Sequence, residues 1–427
     1  MLQRRIKRII YFLLFGSALY FLLRRNHVCY IMNYNSSFSK MNMNTGTLKR
    51  HPARSLGTHI PMPTNLKGKK LPFHHIFESR EIGFPDGLQN SERSAKRKII
   101  LLWTPWNSIR KTINYYFLRP GNKTFVKHNC PNPNCVATQN RKNLQKADAV
   151  LFHLIDTNVT DLPLNRTSNQ IWILYNMEPP WQVKKHMLSE IHKLKNTFNW
   201  TMSYRSNSDV TVKYGIIMPL NKNQQKQVNL EEFEQKSKNI VWFVSDCSTD
   251  SRREEYVNEL KKFIDIDTYG KCGDHKCYPS QSAICYDTIL NRYKFYLSFE
   301  NAICNDYVTE KFYNIFNYNI IPIVFGGANY STVAPKGTFI DANDYPQPRL
   351  LANALKNIAN NRMIYSKILG RKAQFRAYLD PWMCRLCDKL HTLPQLSLLA
   401  DVERWWLKDA QCKRWNNVNQ TYVNASF

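Results

Sequence analysis

The stretch that most constrains the fold is residues 293–327, which read YKFYLSFENAICNDYVTEKFYNIFNYNIIPIVFGG. It begins with an aromatic and apolar run, residues 294–299, that predicts a buried strand and is followed by a polar loop. Residues 307–318 then predict a helix, and residues 320–325 predict a second buried strand that ends at a Gly-Gly pair. Strand, loop, helix and strand in this order predict a βαβ unit of a parallel sheet.

The loop and the helix start are the part of this unit where chemistry is expected. They follow the carboxyl end of the first strand, where open α/β sheets bind ligands, and Asn305 or Asp306 is available to cap the helix. Tyr307, Glu310 and Lys311 are spaced i, i+3 and i+4, so they share one helix face. A ring, a carboxylate and an ammonium beside a helix N-terminus suit a sugar that bears a diphosphate. The spacing alone fits a solvated helix face with an incidental Glu-Lys pair equally well.

Three blocks of letters carry a family resemblance: YKF at 293–295, FEN at 299–301 and YVTEKF at 307–312. In this order they resemble the donor-binding motif of the α1,3-fucosyltransferases of glycosyltransferase family 10. The cysteines between residues 272 and 285, and the Trp-Trp pair at 405–406, are similar to those of invertebrate glycoprotein 3-alpha-L-fucosyltransferases. The resemblance implies an inverting enzyme that takes fucose from GDP-fucose. It also implies an α/β fold of two Rossmann-like domains that face a cleft (GT-B type).

The resemblance places a donor site in the second of these domains. The family pattern has a donor-phosphate arginine after the domain's first strand, four residues before a tyrosine, and Arg252 and Tyr256 match that spacing. An arginine at a helix start can fork onto phosphate, although exposed arginines are common in so basic a chain. Lys311 and Tyr307 would complete the phosphate site, and Glu310 would bind donor hydroxyls. The full set of predicted donor residues, including two in the loop that shapes the sugar pocket, is Arg252, Glu300, Asn301, Tyr307, Glu310 and Lys311.

Glu178 is the predicted general base, on the first domain and across the cleft from the donor. It follows a buried strand in the segment WILYNMEPP, residues 172–180, where Pro179 and Pro180 restrict the backbone. The family reads Glu-Ser-Pro here, so Pro179 is a departure, and Lys213 is another because the family often has proline at that place. These departures leave open a catalytically impaired, membrane-tethered protein that keeps the donor fold and binds without turnover. With no resemblance, Glu178 would be an ordinary loop carboxylate.

No metal or other cofactor is predicted to be required. Arg252, Lys311 and a helix N-terminus already supply positive charge to the leaving diphosphate, so Mn²⁺ would at most stimulate the reaction. Asp265 and Asp267 fit the D-x-D metal signature of many glycosyltransferases. Three letters are a weak match, however, and this pair opens a strand behind the site.

The N-terminus predicts a membrane anchor. Residues 9–23 form an apolar run with basic residues on both sides. At about 1.5 Å per residue the run spans about 22 Å, which suffices if flanking arginines snorkel. A cleaved signal peptide is the alternative, but two arginines directly after the run, with no A-x-A site, favour an anchor. The greater positive charge before the run places the body in the lumen. The prediction is a single-pass type II protein of the Golgi membrane.

Composition and periodicity divide the rest of the chain. An Asn-, Ser- and Pro-rich stretch predicts a stem, and two α/β regions follow it. In the first region residues 98–103, 149–154 and 171–175 predict strands, and residues 181–196 predict a helix. In the second region residues 239–245 and 264–269 predict strands on either side of a helix, a second βαβ unit. Ser251 and Glu254 match a capping box at the start of that helix, and residues 349–378 predict further helices. The predicted parts are a cytosolic tail (1–8), the transmembrane anchor (9–23), the stem (24–96), an acceptor-side domain (97–219), a linker (220–237), a GDP-fucose-binding domain (238–375) and a C-terminal tail packed back on the body (376–427).

Eleven cysteines are unusual for a cytosolic enzyme and favour an oxidising compartment. The pairs Cys130 and Cys135, and Cys384 and Cys387, would also suit a four-cysteine zinc site, but a lumenal setting favours bridges. Relatives with paired N- and C-terminal cysteines imply two bridges that join these pairs, with the connectivity left open. The candidate glycosylation sites lie in N-x-S/T sequons: Asn122, Asn158, Asn165, Asn199 and Asn329.

The net charge of +28, from 60 Lys+Arg against 32 Asp+Glu, favours an anionic partner. Nucleic acid is the first hypothesis for such a balance. The basic residues are scattered, however, and no nucleic-acid motif is present, so nucleic acid is not a predicted partner. The expected partners are GDP-fucose, glycoprotein N-glycan acceptors and, through residues 9–23, the Golgi membrane. Core GlcNAc is favoured as the acceptor over Lewis-type antennal GlcNAc.

Overall fold

The structure is a computed structural model that describes residues 96–104, 118–187, 189–225, 231–278, 282–392 and 398–425. The predicted cytosolic tail, the anchor at 9–23 and all but the last residue of the stem lie outside these ranges. Among the described helices, none has the length and apolar character needed to cross a bilayer.

Six parallel strands form the first sheet, in the order β2-β1-β3-β4-β5-β6. The two central strands, AVLFH and IWILYN, are buried along their whole length, as expected for a parallel sheet covered on both faces. The strands predicted near residues 98, 149 and 171 are confirmed. Their bounds are β1 Lys98–Leu102, β2 Cys135–Thr138, β3 Ala149–His153, β4 Ile171–Asn176, β5 Trp200–Ser203 and β6 Val210–Thr211.

Five parallel strands form the second sheet, in the order β12-β11-β10-β8-β9. The predicted βαβ unit is confirmed at its centre: β10 pairs with β11, and the helix between them packs against both strands. The second predicted unit, β8-helix-β9, lies on the other side of β10. The strand bounds are β8 Lys238–Phe243, β9 Ile266–Tyr269, β10 Tyr293–Phe299, β11 Ile321–Phe325 and β12 Ile340–Asp341.

Helices and two small antiparallel pairs complete the described part of the chain. The α-helices are α1 Lys123–Lys127, α2 Pro180–Met187, α3 Glu231–Gln235, α4 Arg253–Lys261, α5 Ala283–Leu290, α6 Glu310–Phe316, α7 Pro348–Asn360, α8 Arg362–Lys372 and α9 Trp382–His391. The 3₁₀ turns are Arg141–Lys146, Leu154–Asp156, Val159–Asp161, Ile191–Leu194, Lys222–Gln224, Tyr330–Thr332 and Ala342–Asp344, and a π-helix spans Arg404–Lys408. The paired strands are β7 Ile216–Pro219 with β13 Phe375–Tyr378, and β14 Lys413–Asn416 with β15 Thr421–Asn424.

The chain returns to the first sheet after it has formed the second. Strand β13 pairs with β7, so the predicted helical region 349–378 is wrong in its last residues. Helix α9 then packs on β1, β6 and α1 of the first domain. Its Trp382 is fully buried and stacks on Tyr175 of β4, with ring centroids 6.2 Å apart. Helix α9, the last α-helix among the described residues, is therefore part of the first core.

The Lys213 departure has a structural explanation where the chain crosses between the domains. The Lys213 backbone N–H donates a 2.6 Å hydrogen bond to Oδ2 of Asp380, whose side chain is fully buried and also pairs with Arg385. A proline has no N–H to donate. Lysine at this position therefore supplies a bond that the residue typical of the family could not make.

Five disulfides join the described cysteines, and two of them connect the predicted pairs. Cys130 bonds Cys384 and Cys135 bonds Cys387, so both fasten α9 to the first domain. The zinc alternative is wrong for these cysteines because their sulfur atoms are bonded to each other in pairs. The other three bridges are Cys247–Cys272, Cys277–Cys285 and Cys304–Cys412.

Two local predictions are corrected, and the predicted linker contains secondary structure of its own. The helix predicted over 181–196 is α2 followed by a turn and a short 3₁₀ segment. The capping box does not form, because the Glu254 carboxylate accepts from the backbone N–H and hydroxyl of Thr249 instead. The predicted linker, 220–237, contains a 3₁₀ turn and helix α3.

One candidate glycosylation site is also wrong. Asn199 is buried, and its Oδ1 accepts from the Trp172 backbone N–H and from Arg166. A glycan would be attached at Nδ2 of this buried side chain, so the surrounding core would have to open to accommodate it. The other four candidates are exposed: Asn122, Asn158, Asn165 and Asn329.

Candidate active site

The start of α6 is fixed by a carboxylate that lies beneath it. Thr309, not Asn305 or Asp306, is the N-cap, so the predicted start of the helix at 307 was too early. Glu300 is fully buried, and its two oxygens accept from the Thr309 backbone N–H at 2.8 Å and from the Thr309 hydroxyl at 2.7 Å. The carboxylate is therefore positioned to hold the helix start and has no exposed surface for a donor hydroxyl.

Lys311 lies at the centre of this charged group. Its Nζ is 2.9 Å from the Thr309 hydroxyl, 3.1 Å from Oε1 of Glu310 and 3.5 Å from Oε2 of Glu300. Burial alone would lower the pKa of Lys311, but the two carboxylates outweigh it and the pKa is raised. The ammonium thus stays charged at every physiological pH, on a partly exposed side chain at the edge of the sheet.

The two neighbouring arginines at the start of α4 differ in environment. Arg252 has φ 52° and ψ 33°, precedes the helix as its N-cap, and directs its side chain to the surface, 3.7 Å from Glu255. Arg253 is buried, donates 2.6 Å from Nη1 to the Phe299 carbonyl at the end of β10, and leaves Nε without a hydrogen bond among the described residues. Arg253 therefore lies beside the donor loop, and the prediction for Arg252 stays untested.

The sequence contains a signal that identifies Arg253. Tyr256, Val257 and Leu260 follow it at i+3, i+4 and i+7, and all four side chains are buried on one face of α4. An arginine on the apolar face of an amphipathic helix needs a polar partner, which is here the end of β10. Arg252 is one position off that face.

Tyr307 connects the donor loop to the first domain. Its hydroxyl donates to Oδ1 of Asn301 at 3.1 Å, and its ring packs edge-on against Tyr204 and Tyr214, with centroids 5.0 Å and 6.2 Å away. All three rings are buried. Tyr307 and Asn301 thus lie together in the donor loop, and the predicted contact of Tyr307 with a phosphate stays a prediction.

Glu178 extends into the cleft from the end of β4. The Asn176 side-chain amide bonds both backbone groups of Glu178. Its Nδ2 donates to the Glu178 carbonyl at 3.1 Å, and its Oδ1 accepts from the Glu178 N–H at 3.4 Å. The Tyr214 hydroxyl fixes the preceding residue by donating to the Met177 carbonyl at 2.5 Å. This pre-set backbone, followed by the buried prolines, gives the carboxylate a defined position even without the serine that the family has.

The electrostatics of Glu178 connect the two domains. Its side chain is exposed to the cleft, yet protein surrounds it closely, and this desolvation is the main cause that raises the pKa of Glu178. The Glu310 carboxylate raises it further, while Lys311 and His153 act in the opposite direction. Glu178 and the donor-side residues Glu310 and Lys311 therefore lie within electrostatic range of each other.

His153 is a functional candidate that the sequence analysis missed. It ends β3, directly beside β4, and its Nδ1 is 2.8 Å from Oδ2 of Asp156. The ring is buried and lies 5.6 Å from the ring of Tyr175. The signal was a polar residue at the end of the apolar strand AVLFH, at the same sheet edge as Glu178.

Asp267 of the weak D-x-D metal signature forms an ion pair with Lys238. Oδ2 of Asp267 accepts from both the Lys238 ammonium and the Tyr293 hydroxyl. Within the described ranges, one group of side chains has the spacing of a metal site, namely Cys135, Cys387 and His391. Its two sulfur atoms form a disulfide and are not free to ligate.

Family models match most of the described body. The model for the C-terminal part of glycosyltransferase family 10 (fucosyltransferase) matches residues 233–405, and the model for the fucosyltransferase N-terminal part matches residues 95–215. The first match contains the second sheet and α6, and the second contains the first sheet and Glu178. The boundary between the two matches falls in the segment between the sheets.

Curated proteins agree with these matches. The chain is 31% identical to glycoprotein 3-alpha-L-fucosyltransferase A of Drosophila melanogaster, over 84% of this chain and 74% of that one. It is 32% identical to human 4-galactosyl-N-acetylglucosaminide 3-alpha-L-fucosyltransferase 9, over 64% of this chain and 74% of that one. A crystal structure of an alpha1,3-fucosyltransferase with GDP-fucose is 14% identical with a TM-score of 0.47, covering 76% of this chain and 96% of that one.

Thr309 provides a test of the buried carboxylate. Thr309→Val keeps the side-chain volume but removes the hydroxyl that caps α6 and bonds Glu300, which should cost about 1–3 kcal/mol of unfolding free energy. Thr309→Ser keeps the hydroxyl and loses only a methyl group, worth about 1 kcal/mol. Denaturant unfolding of both variants compares them, and a valine variant as stable as the serine variant would contradict the role given to this bond.

Proposed function

The chain belongs to glycosyltransferase family 10, the fucosyltransferases, and from this membership we propose that it transfers L-fucose from GDP-fucose, with inversion, to GlcNAc of glycoprotein N-glycans. The observation that carries the proposal is that Glu178 of the first domain lies within electrostatic range of Glu310 and Lys311 of the second. A base on one side and a fixed cation on the other are what an inverting transfer needs.

The proposed reaction uses these groups as follows. The acceptor hydroxyl oxygen attacks the anomeric carbon of fucose while its proton passes to the Glu178 carboxylate. The bond from that carbon to the β-phosphate oxygen breaks, and GDP leaves with the electron pair. Lys311, held at 3.1 Å from Glu310, and Arg253 at the end of β10 lie where they can stabilise the charge that develops on the diphosphate.

For the acceptor, we propose core GlcNAc of glycoprotein N-glycans. The relative with the wider coverage carries "glycoprotein" in its name and matches 84% of the chain, whereas the relative named for galactosyl-N-acetylglucosaminide matches 64%. The test is a screen with GDP-fucose against glycopeptides that end in core GlcNAc and against N-acetyllactosamine, followed by linkage analysis. Transfer to N-acetyllactosamine alone would show that the acceptor is antennal GlcNAc and not core GlcNAc. Transfer to neither acceptor would favour the alternative function, a protein that binds the donor without turnover.

We propose that this transfer needs no divalent cation. Lys311 and Arg253 already provide fixed positive charge at the site, and the Asp267 carboxylate is paired with Lys238. Activity in the same screen should therefore persist in excess EDTA. Complete loss of activity in EDTA that Mn²⁺ restores would contradict this proposal and would make Asp265 and Asp267 candidate metal ligands.

The role of Glu178 is tested by substitution. Glu178→Gln removes the base and should lower turnover by about 10²–10⁴-fold, while calorimetry finds GDP-fucose binding retained. Lys311→Ala should instead weaken donor binding. Glu190→Gln is the matched control, because that carboxylate lies on the first domain in an exposed pair with Lys193 and should leave turnover unchanged.

The pH profile gives the same test a second readout. Because the pKa of Glu178 is raised, and the base acts only when ionised, turnover is present above this pKa and lost as the pH falls through it. The acid limb should therefore lie above the ordinary range of glutamate and disappear in Glu178→Gln. Near-normal turnover of that variant, with the limb intact, would require another base.

We also propose that the protein is a type II Golgi membrane protein, anchored through residues 9–23 with its body in the lumen. The supporting observations are the charge asymmetry around that run and disulfides that suit an oxidising compartment. Glycopeptide mapping should find glycans at exposed sequons such as Asn158 or Asn165 and none at buried Asn199. A body accessible to protease in intact vesicles, with every sequon bare, would oppose this topology.

A further inference from the structure

The segment 404–416, named here the strap, packs against the donor loop and against both domains. It contains the π-helix Arg404–Lys408 and strand β14. The family match ends at residue 405, so nearly all of the strap lies beyond the matched range. Its contacts fall on three separate parts of the molecule.

The first set of contacts is with the first domain. Arg205, which is buried, donates to the carbonyls of Trp405 and Asp409, the second bond being 3.1 Å long. Its guanidinium also lies over the Trp405 ring, 4.6 Å from the centroid. Tyr204 packs edge-on against Trp406 at 5.8 Å and, on its other side, against Tyr307 of the donor loop at 5.0 Å. Tyr204 of the first domain thus contacts both the strap and the donor loop.

The second set of contacts is with the donor loop itself. Cys412 forms a disulfide with Cys304, and the Lys413 backbone N–H donates 2.7 Å to the Ile303 carbonyl. The Asn305 backbone N–H donates 3.0 Å to the Ala410 carbonyl, and its side-chain amide donates 3.0 Å to Gln411. Three consecutive loop residues, 303–305, are therefore bonded to the strap, and only Ala302 separates them from Asn301.

The third set of contacts is with the turn that presents the two arginines. The Trp415 N–H donates 3.1 Å to the Ser251 carbonyl, and Arg414 pairs with Asp250 at 2.9 Å. The Trp415 ring lies 4.8 Å from Tyr256 on α4. Ser251 in turn donates its hydroxyl to the Glu300 carbonyl and its N–H to the Asn301 carbonyl. The strap thus contacts both halves of the donor site from one side.

We propose that the strap is a positioning element for the nucleotide-sugar donor. The Cys304–Cys412 disulfide and the Lys413 to Ile303 hydrogen bond hold the donor loop against the arginine turn and against the first domain. No strap atom needs to touch the donor for this. A displacement of the loop by about 1 Å is enough to cost up to 10²-fold in an enzyme site. The inference rests on the proposed donor site.

The experiment removes one disulfide at a time from the full chain. Cys304→Ala/Cys412→Ala should raise the KM for GDP-fucose and weaken GDP binding in calorimetry by roughly tenfold or more, while the acceptor KM stays unchanged. Cys135→Ala/Cys387→Ala is the matched control, because it also removes a disulfide to the C-terminal part of the chain, but neither cysteine lies in the donor loop. It should lower thermal stability and leave donor affinity as in the wild type.

A second pair of variants keeps the disulfide and decides the matter if the first variant fails to fold. Lys413→Pro removes the N–H that donates to Ile303, at the first residue of β14 where proline is tolerated, and should raise the donor KM several-fold. Lys413→Ala keeps this N–H and should raise it much less. The proposal would be overturned if every strap variant that folds bound the donor as tightly as the wild type does. It would also be overturned if the Cys135/Cys387 control lost as much donor affinity as the Cys304/Cys412 variant. A wild-type chain that does not bind GDP-fucose would instead refute the proposed function.

Discussion

The site depends on one buried carboxylate. Glu300 lies at the end of β10 with no exposed surface, and its two oxygens are bonded to Thr309. Burying a charge is expensive unless it is paired and hydrogen-bonded, and burial indeed raises the pKa of Glu300, while Lys311 acts in the opposite direction. The bonds that satisfy this carboxylate also cap α6 and set the place of the Lys311 ammonium. The Glu300 carboxylate thus helps to fix the position of Lys311, the cation that the proposed reaction uses.

Much of this arrangement could be predicted from the sequence because its causes are local. Apolar runs such as IWILYN and YKFYLSF specify buried parallel strands, and the YVTEKF block marks the ligand-binding edge of the second sheet. The bridges from Cys130 and Cys135 to the far end of the chain were implied by relatives. Glu178 and Lys311 were identified separately, and the structure places them within electrostatic range of each other.

What could not be predicted depends on contacts between distant segments. The capping box at Ser251 was plausible by spacing, but Ser251 is instead bonded to the donor loop and Glu254 to Thr249. Arg252 and Arg253 are the same residue type, and only the helix face separates the half-exposed side chain from the buried one that bonds the end of β10. Asn199 fits a sequon, yet its Oδ1 accepts a hydrogen bond from the Trp172 backbone N–H in β4. In each case a tertiary partner competes with the local pattern and prevails.

The position of α9 has a consequence for how the protein is made. This helix, Trp382–His391, completes the core of a domain whose first strand begins at Lys98, and Cys384 lies 254 residues along the chain from its partner. During synthesis the early sheet emerges from the ribosome with the place for Trp382 still empty, and the whole second domain must follow before that place is filled. The two domains therefore cannot mature strictly one after the other. A chain that stops before residue 382 would leave the first domain with an apolar face open to chaperones and degradation, even though every one of its strands is present.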